Sequence, residues 1–427
     1  MRVAERCGVC SLACSFPGRP IMDATSSAVL LVAFFASGSL AAPPVVSNVR
    51  CAARHGSQFV DIRYDLAYSG GNKLAVTVLV SVAEEAGYDL LASSFRGSGY
   101  GSDIEPGRDK QITWDAAADV KIPYSTGMRF RVIASEIPSG MAWIPPGPFT
   151  MGDTFDDGDP NELPPHQVFV SAFYMERYDV TKSLWDSVYP WAIKHGYGFD
   201  NEGLGKAPNH PVHSVDWYDA IKWCNARSEK EGLSPAYYTN PSRSTIYRSG
   251  QIDLSNASVD WSANGYRLPT AAEWEKAARG GAANHRFPWT DTDTISHSRA
   301  NYYSSGRYSY DVSPTRGYHP AFNDGKPPFT SPVGYFPPNA YGLYDMVGNI
   351  WQWCWDRVDG AWYRKPGATE KDTRGPDSSQ SGSRSRMMRG GSFHRFAFNA
   401  RNANLSIAGD SADFAFLVFG FRCARSF

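Results

Sequence analysis

The chain has 427 residues, with 42 Lys and Arg against 43 Asp and Glu, so its formal net charge is −1. That balance supplies no general attraction for nucleic acid or anionic lipid, and no nucleic-acid partner is expected. Because 42% of the residues are hydrophobic and only 20% are charged, the chain is also excluded from the disordered class. At roughly 150 residues per domain, the length predicts two or three domains.

An apolar run at residues 28–36 is followed by small residues up to Ala42. The run is too short to cross a bilayer, which takes about 20 apolar residues, but it is typical of a secretory signal peptide. We expect residues 1–41 to be a leader that is cleaved after Ala41. The mature chain is then exported (secreted, periplasmic or at the cell surface) and has no transmembrane helix. The alternatives are a buried strand or helix here, and a true start at Met22.

The predicted leader contains three of the seven cysteines. Their spacing superficially suggests a metal site, but further ligands are missing nearby, so we assign them to the leader. The three are Cys7, Cys10 and Cys14, and those kept are Cys51, Cys224, Cys354 and Cys423. Four cysteines in an exported protein are compatible with one or two disulfide bonds.

Residues 42–137 contain short β-rich runs separated by Gly, Ser and Asn turns. Apolar and polar residues alternate at 59–66 and 128–133, as in an antiparallel sheet with one buried face. We predict a small all-β sandwich similar to immunoglobulin or fibronectin-III modules. None of its residues suggests chemistry, so a spacer or docking role is expected.

A second domain is predicted from residue 138 to the C-terminus at 427. Helical spacing of apolar residues predicts one helix over 214–227 and another over 270–279, the second with a Thr cap, a Glu three residues later and a Gly-Gly stop. The remainder is rich in Gly, Pro, Asn and aromatic residues, which indicates loops with short strands. The fold class is therefore α+β.

Motifs in this domain resemble the formylglycine-generating enzyme (sulfatase-modifying factor) family. They occur in the family's order: WIPPGPFTMG (143–152), NHPV (209–212), VDW (215–217), GYRLPTAAEWE (265–275), FPW (287–289), NAYGLYDMVGN (339–349), RGGS (389–392) and GFR (420–422). The resemblance implies a loop-rich variant of the C-type lectin fold. It also aligns Cys224 and Cys423 with positions that form a disulfide bond in the family.

The enzymes of this family oxidise a substrate cysteine with copper, which two cysteines just after the RGGS motif hold. Copper(I) and thiolates are a soft-metal, soft-ligand pair. Residues 389–405 contain no cysteine, and His394 alone cannot hold copper in that chemistry. Copper is therefore not expected. A formylglycine-generating oxidoreductase acting on a sulfatase cysteine is kept as the alternative function, disfavoured for this reason.

The resemblance also implies two calcium sites built from oxygen ligands. The matching side chains are Asn301 and Asp324 at the first site, and Asp345 and Gln352 at the second. Gln352 stands where the enzymes have Glu, which removes a charge and predicts a weaker or empty second site. The alternative is that these residues cap loops without a metal.

The C-terminal segment 389–427 has an unusual composition. From Ser392 onward it lacks Lys, Glu, Gln, Met and Trp altogether. These five are the amino acids that an Asn codon cannot reach when only its adenines are changed. The segment thus resembles the variable region of proteins diversified by retroelements, which mutate adenines and commonly target this fold between RGGS and GFR.

This second resemblance implies a solvent-facing ligand-binding surface made by the variable positions. The implied positions are Phe393, His394, Arg395, Phe396, Phe398, Asn399, Ile407, Ala408, Gly409, Asp410, Phe414, Phe416, Leu417, Val418 and Phe419. The alternative is that residues 414–419 form a buried closing strand and that the compositional gap is chance.

We therefore expect an exported, non-catalytic ligand-binding protein. Its partner would be a protein or glycan at the cell surface, and the chain itself would be a monomer. Besides the oxidoreductase, a purely structural surface module is a weaker alternative.

Overall fold

The computed structural model describes residues 9–13, 42–81, 88, 90–119, 128–377, 384–406 and 411–427, with the backbone alone described for 9–13. The chain divides into two compact units, one ending at Ser139 and the other beginning at Gly140. The apolar run at 28–36 and the expected cleavage site lie outside the described residues. Cys51 is in a disulfide bond.

The N-terminal unit consists mainly of antiparallel strands. Its described elements are β1 (Val9–Ala13), β2 (Val45–Ala53), β3 (Phe59–Ala67), β4 (Leu74–Ser81), β5 (Phe95–Arg96), β6 (Gly107–Asp115), α1 (Ala116–Asp119) and β7 (Arg129–Glu136). They form a sheet of order β2-β3-β6-β5 and another of order β1-β7-β4. Strand β1 comes from the stretch that we predicted to be leader.

One hydrophobic core joins the two sheets of this unit. In β3 the side chains alternate between buried and half-buried, and the buried ones meet Val76, Val78 and Val132 from the other sheet. The alternation in the sequence therefore predicted the buried face correctly. The immunoglobulin-like or fibronectin-like assignment stays a prediction.

The C-terminal unit has a mixed α/β fold that is rich in sheet and has few helices. Its described strands are β8 (Met141–Ile144), β9 (Gly147–Met151), β10 (His166–Val170), β11 (Phe173–Glu176), β12 (Trp351–Arg357), β13 (Arg386–Arg389), β14 (Phe419–Gly420) and β15 (Ala424–Ser426). They form three small sheets of order β10-β9, β15-β11-β8 and β13-β12-β14. The α-helices are α2 (Lys182–Lys194), α3 (Trp217–Lys230) and α4 (Ala271–Arg279).

Helices α3 and α4 confirm the two helices predicted from periodicity and caps. Asp216 caps α3, and Thr270 and Glu273 form a complete capping box on α4, which ends at Gly280 with a φ of 59°. Helix α2 was missed, because Pro190 in its interior argues against a helix. Among the described residues, none of the helices has both the length and the apolar character needed to span a bilayer.

The C-terminal segment contributes strands to two of these sheets. Strand β13 pairs with β12 on one side, and β14 pairs with β12 in parallel on the other. Strand β15 pairs with β11. The described residues between these strands are loops and one turn of 3-10 helix at Ala397–Ala400, so a fixed framework carries those stretches that we predicted to vary.

Candidate ligand-binding face

The predicted variable positions do not all face solvent. His394, Arg395, Phe414 and Phe416 are exposed, and Phe396, Phe398, Asn399 and Leu417 are half-buried. By contrast, Phe393, Val418 and Phe419 are buried, with at most 2% of their surface exposed. The predictions for Ile407, Ala408, Gly409 and Asp410 fall outside the described residues.

The prediction of an exposed Phe393 is wrong, because this ring fills the space beneath the surface. It packs against Phe329 with centroids 5.9 Å apart, and its N–H donates to the Asn349 carbonyl at 2.9 Å. Such a side chain contributes to the fold and cannot reach a partner without leaving the core.

The same correction applies to the end of the segment. The Phe419 ring lies edge-on to Trp353 at 5.5 Å, and the Val418 carbonyl accepts from the Trp351 N–H at 2.7 Å. The alternative of a buried closing strand thus holds for these two positions. It fails for Phe414 and Phe416, which are 46% and 42% exposed.

Residues 394–398 pack against a tyrosine-rich loop, residues 302–318. Tyr303 lies edge-on to Phe396 with centroids 5.5 Å apart, and Tyr308 stacks on Phe398 at 5.7 Å. Tyr318 Oη is 2.7 Å from His394 Nδ1, and the Tyr303 N–H donates to the Arg395 carbonyl at 2.9 Å. We call the surface made by Tyr303, Tyr308, Tyr318, His394, Phe396 and Phe398 the aromatic face.

Sequence reasoning missed the three tyrosines of the aromatic face. The signal was present as the stretch NYYSSGRYSY at 301–310, but a tyrosine-rich loop by itself does not say what it packs against. Only the tertiary contact with 394–398 makes it part of the candidate site.

The buried carboxylate of Asp311 organises this loop. It accepts from the Tyr302 hydroxyl at 2.5 Å, from Ser304 Oγ at 2.9 Å and from the Ser305 N–H at 2.7 Å. Arg316 lies 3.3 Å from the same carboxylate. Because a single buried acceptor collects these donors, the loop has a defined conformation rather than a choice of several.

Buried ion pairs hold the frame beneath the aromatic face. Arg401 makes a bidentate pair with Glu162 at 2.7 and 2.9 Å, and Asn404 Nδ2 donates to the same carboxylate at 3.0 Å. Arg389 is fully buried and pairs with Glu275 at 3.1 Å. Bidentate contacts of this kind fix orientation, so the exposed side chains stand on a rigid support.

Phe414, Phe416 and Leu417 form a separate patch. The rings of Phe414 and Phe416 stack with centroids 5.9 Å apart, and the Phe416 carbonyl accepts from the Ser214 N–H at 3.0 Å. We expected the two aromatic clusters of the segment to make one surface. In the structure each packs on its own neighbours, residues 302–318 for one and the start of α3 for the other.

A model of the sulfatase-modifying factor enzyme 1-like domain family matches residues 132–427. The chain belongs to the sulfatase-modifying factor family. The formylglycine-generating enzyme of Thermomonospora curvata is 31% identical to it over 68% of this chain and 94% of that enzyme. The chaperone protein LppX of Paenibacillus barcinonensis is 35% identical over 48% of this chain and 68% of its own. Among solved structures, Treponema denticola variable protein 1 has a TM-score of 0.48 at 28% identity, covering 67% of this chain and 94% of that one.

Among the described residues, the free thiols of this family member lie outside the stretch that follows the RGGS motif, although Cys354 on β12 is close enough to interact with Arg389. Cys224, Cys354 and Cys423 are free and fully buried, and burial raises the pKa of the Cys354 and Cys423 thiols far above their usual value. The Sγ atoms of Cys224 and Cys423 are 3.8 Å apart, so the bond implied by the resemblance is not formed here. The two cysteines are adjacent, and their disulfide stays a prediction.

The first calcium site that the family implies fits in part. Asn301 Oδ1 is buried without a hydrogen-bond partner, as a side chain that awaits a cation would be, while its amide donates to the Phe329 carbonyl at 2.8 Å. Asp324 is exposed and pairs with Lys206 at 2.8 Å, which lowers the pKa of its carboxyl. A calcium ion here would compete with Lys206, and its binding stays a prediction.

The second calcium site does not fit, because the side-chain oxygen of Gln352 already accepts two hydrogen bonds. Its Oε1 accepts from Trp274 Nε1 at 2.6 Å and from Arg422 Nε at 2.7 Å, and its Nε2 donates to the Asp345 carbonyl at 2.8 Å. The Asp345 carboxylate accepts from the Gly334 N–H, and burial raises its pKa to about 6. The guanidinium of Arg422 thus supplies a positive charge beside Gln352 from within the protein.

One acidic cluster was not predicted. Asp200, Asp216 and Asp219 lie close together at the start of α3, and Lys222 contacts Asp219 at 3.2 Å and Asp200 at 3.3 Å. Asp219 also accepts from the N–H groups of Asp200 and Asn201. The cluster therefore connects the loop at Asp200 and Asn201 to α3, and the Lys222 ammonium group supplies the positive charge between its carboxylates.

Proposed function

We propose that this member of the sulfatase-modifying factor family is an exported, non-catalytic protein that binds a ligand through its C-terminal segment, which a retroelement diversifies. One observation carries the proposal. The segment without Lys, Glu, Gln, Met or Trp presents exposed and half-buried aromatic side chains at 394–398 and 414–416, on a frame of buried ion pairs. Variation there changes the surface without changing the core.

The thiol placement supports a non-catalytic role. Copper in the family's oxidation chemistry needs two thiolates next to the RGGS motif, and residues 389–405 offer none. The three free thiols are buried, and Cys224 and Cys423 face each other. Cys354, beside Arg389, is a single buried thiol, and His394, within the segment, is engaged with the Tyr318 hydroxyl.

Sequencing the DNA around the coding region tests diversification most directly. We expect a near-copy of the last codons beside a reverse transcriptase gene. Adenines should stand in the copy at the codons of the surface positions, namely His394, Arg395, Phe396, Phe398, Asn399, Phe414, Phe416 and Leu417. The codons of the buried Phe393, Val418 and Phe419 should match between the copies. No template, or adenines at the buried codons only, would refute the proposal.

Substitution of phenylalanines tests the same division in the protein. Phe396→Ser and Phe398→Ser should change the free energy of unfolding by under about 1.5 kcal/mol, because these rings are already half in water. Phe393→Ser and Phe419→Ser should cost about 3–5 kcal/mol, because each leaves a cavity. Urea unfolding of the full chain measures both, and equal costs at all four positions would contradict a variable surface over a fixed core.

An activity assay tests the alternative of a formylglycine-generating oxidoreductase. Purified protein is incubated with copper, oxygen and a peptide that carries the sulfatase cysteine motif. Mass spectrometry should show no loss of the thiol and no aldehyde. Conversion above a metal-free control would overturn the non-catalytic assignment. N-terminal sequencing of the exported protein, expected to begin at Ala42, tests the leader.

A further inference from the structure

The tyrosine-rich loop at 302–318 packs directly against residues 394–398 of the predicted variable segment. We propose that this loop is the second half of the binding surface, and that the combined surface selects an acidic segment of a partner protein. The inference rests on the proposed function, since it assigns a ligand class to the same face. It adds a part of the chain that lies outside the variable segment.

The tyrosines of the loop differ in burial. Tyr302 and Tyr310 are buried and anchor it, while Tyr303 and Tyr308 are half-buried and reach the surface beside the exposed Arg307. Between them stand Ser and Gly residues. Tyrosine supplies contact area at low entropic cost, and Ser and Gly adapt around it, which is the composition that antibody loops use to bind proteins.

The aromatic rings of the face are packed against each other rather than laid flat. Tyr303 is edge-on both to Phe396, at 83°, and to Tyr318, at 87°. Tyr308 stacks on Phe398 and Tyr318 stacks on His394, so the rings cover part of one another's faces in both orientations, and the surface also carries tyrosine hydroxyls and an exposed histidine. Such a surface suits the mixed side chains of a polypeptide better than the flat face of a sugar ring.

Two exposed arginines belong to the segments that form this surface. Arg307 and Arg395 are exposed, and neither has a carboxylate partner among the residues that the structure describes. Arg307 sits over the Phe396 ring at 5.4 Å, where it is held near the surface without losing its charge. Other arginines of the region are neutralised, for example Arg299 by Asp291.

Tyrosine and arginine are two of the three residue types that are enriched at the hot spots of protein interfaces. A guanidinium binds carboxylates by charge-assisted, often bidentate hydrogen bonds. Arg395 belongs to the predicted variable set and Arg307 does not. Arg307 would therefore keep the preference for acidic partners, while changes at the variable positions would alter which acidic partner is bound.

Panning the full chain against a random peptide library on phage tests the inference. Peptides recovered at physiological salt should be enriched in Asp and Glu over the input library. The double variant Arg307→Gln/Arg395→Gln should lower the affinity of a selected synthetic peptide at least about tenfold. Tyr303→Ala should weaken the same peptide, whereas Arg243→Gln, an exposed arginine of another loop, should leave it unchanged. Polyglutamate should compete for the face, and alginate, an acidic glycan, should not.

The outcomes separate this inference from the proposed function. If selected peptides lose binding on Phe396→Ser but not on Tyr303→Ala or the double arginine change, or if they are not acidic, the surface binds ligands and the inference is wrong. Competition by alginate but not polyglutamate would overturn the polypeptide partner in favour of an acidic glycan. If no peptide depends on Phe396, Phe398 or His394, the proposed function itself fails.

Discussion

At the scale of single residues, Gln352 shows how one side chain changes what a site can hold. Its side-chain oxygen accepts from two buried donors, and its side-chain nitrogen donates to a backbone carbonyl. A residue in this state stabilises the fold directly. To bind calcium as the family resemblance implies, Gln352 would have to release these partners. They would then be buried without a hydrogen bond, which is energetically costly.

Gln352→Ala should therefore destabilise the protein by about 2–4 kcal/mol, because Trp274 Nε1 and Arg422 Nε lose their acceptor inside the core. Gln251→Ala is the control, since Gln251 is exposed and its substitution should cost under about 0.5 kcal/mol. Urea unfolding of both variants checks this. Similar small effects would mean that Gln352 carries little of the network.

Asp356 gives a pH-dependent prediction at the same scale. Burial raises the pKa of its carboxyl to about 6, although it accepts from the Ala271 N–H at the start of α4. The folded carboxyl keeps its proton at pH values where the unfolded one has lost it. Its contribution to stability is thus fully present below the unfolded pKa of about 3.8 and is lost as the pH rises through about 6.

Asp356→Asn removes this titration and retains an acceptor for Ala271. Between about pH 4 and about pH 8, the wild type should lose on the order of 2–3 kcal/mol relative to the variant. Chemical unfolding at a series of pH values measures the difference. Parallel stability curves for the two proteins would show that the carboxyl does not titrate in this window.

At the scale of elements, the loop at 302–318 shows how a segment without regular secondary structure holds its shape. Its hydrogen bonds converge on Asp311, and its buried tyrosines add packing. Helix α4 differs from this loop, because residues at its own ends, namely Thr270, Glu273 and Gly280, determine where it starts and stops. Local encoding made the helix predictable, and convergence on a buried carboxylate left the loop unpredicted.

Asp311→Ala should loosen this loop. We expect amide hydrogen exchange at 303–318 to accelerate by about tenfold or more, while exchange in α3 and α4 stays near the wild-type rate. Asp291→Ala is the matched control, because this carboxylate is largely exposed and forms a surface ion pair with Arg299. Uniform acceleration across the unit would indicate that Asp311 supports the whole core instead.

At the scale of the whole molecule, the hydrophobic cores follow the division into units. One core lies entirely before residue 139, and two others lie entirely after residue 140. Each unit thus buries its own apolar side chains, which is the property that lets a domain fold independently.

Calorimetry should accordingly show two unfolding transitions for the full chain. A chain of residues 140–427 expressed alone should reproduce one of them within a few degrees. A single transition, or an unfolded C-terminal unit, would show that the two units depend on each other.

Part of this protein could be predicted from its sequence because the relevant signals are local. The motifs from 143 to 422 predicted the family, and caps and periodicity predicted α3 and α4. Alternation predicted the buried face of β3. Helix α2 escaped prediction, since Pro190 is locally unfavourable and tertiary packing of Trp185 and Val188 outweighs it.

The sequence by itself determined the scaffold and the composition of the segment that we propose to bind a ligand. Only the tertiary structure decided which of its phenylalanines can do so. Phe393 and Phe396 are three residues apart and chemically identical, yet the first packs on Phe329 and the second meets Tyr303 at the surface. Burial depends on partners that the fold brings in from elsewhere in the chain, and no local pattern encodes them.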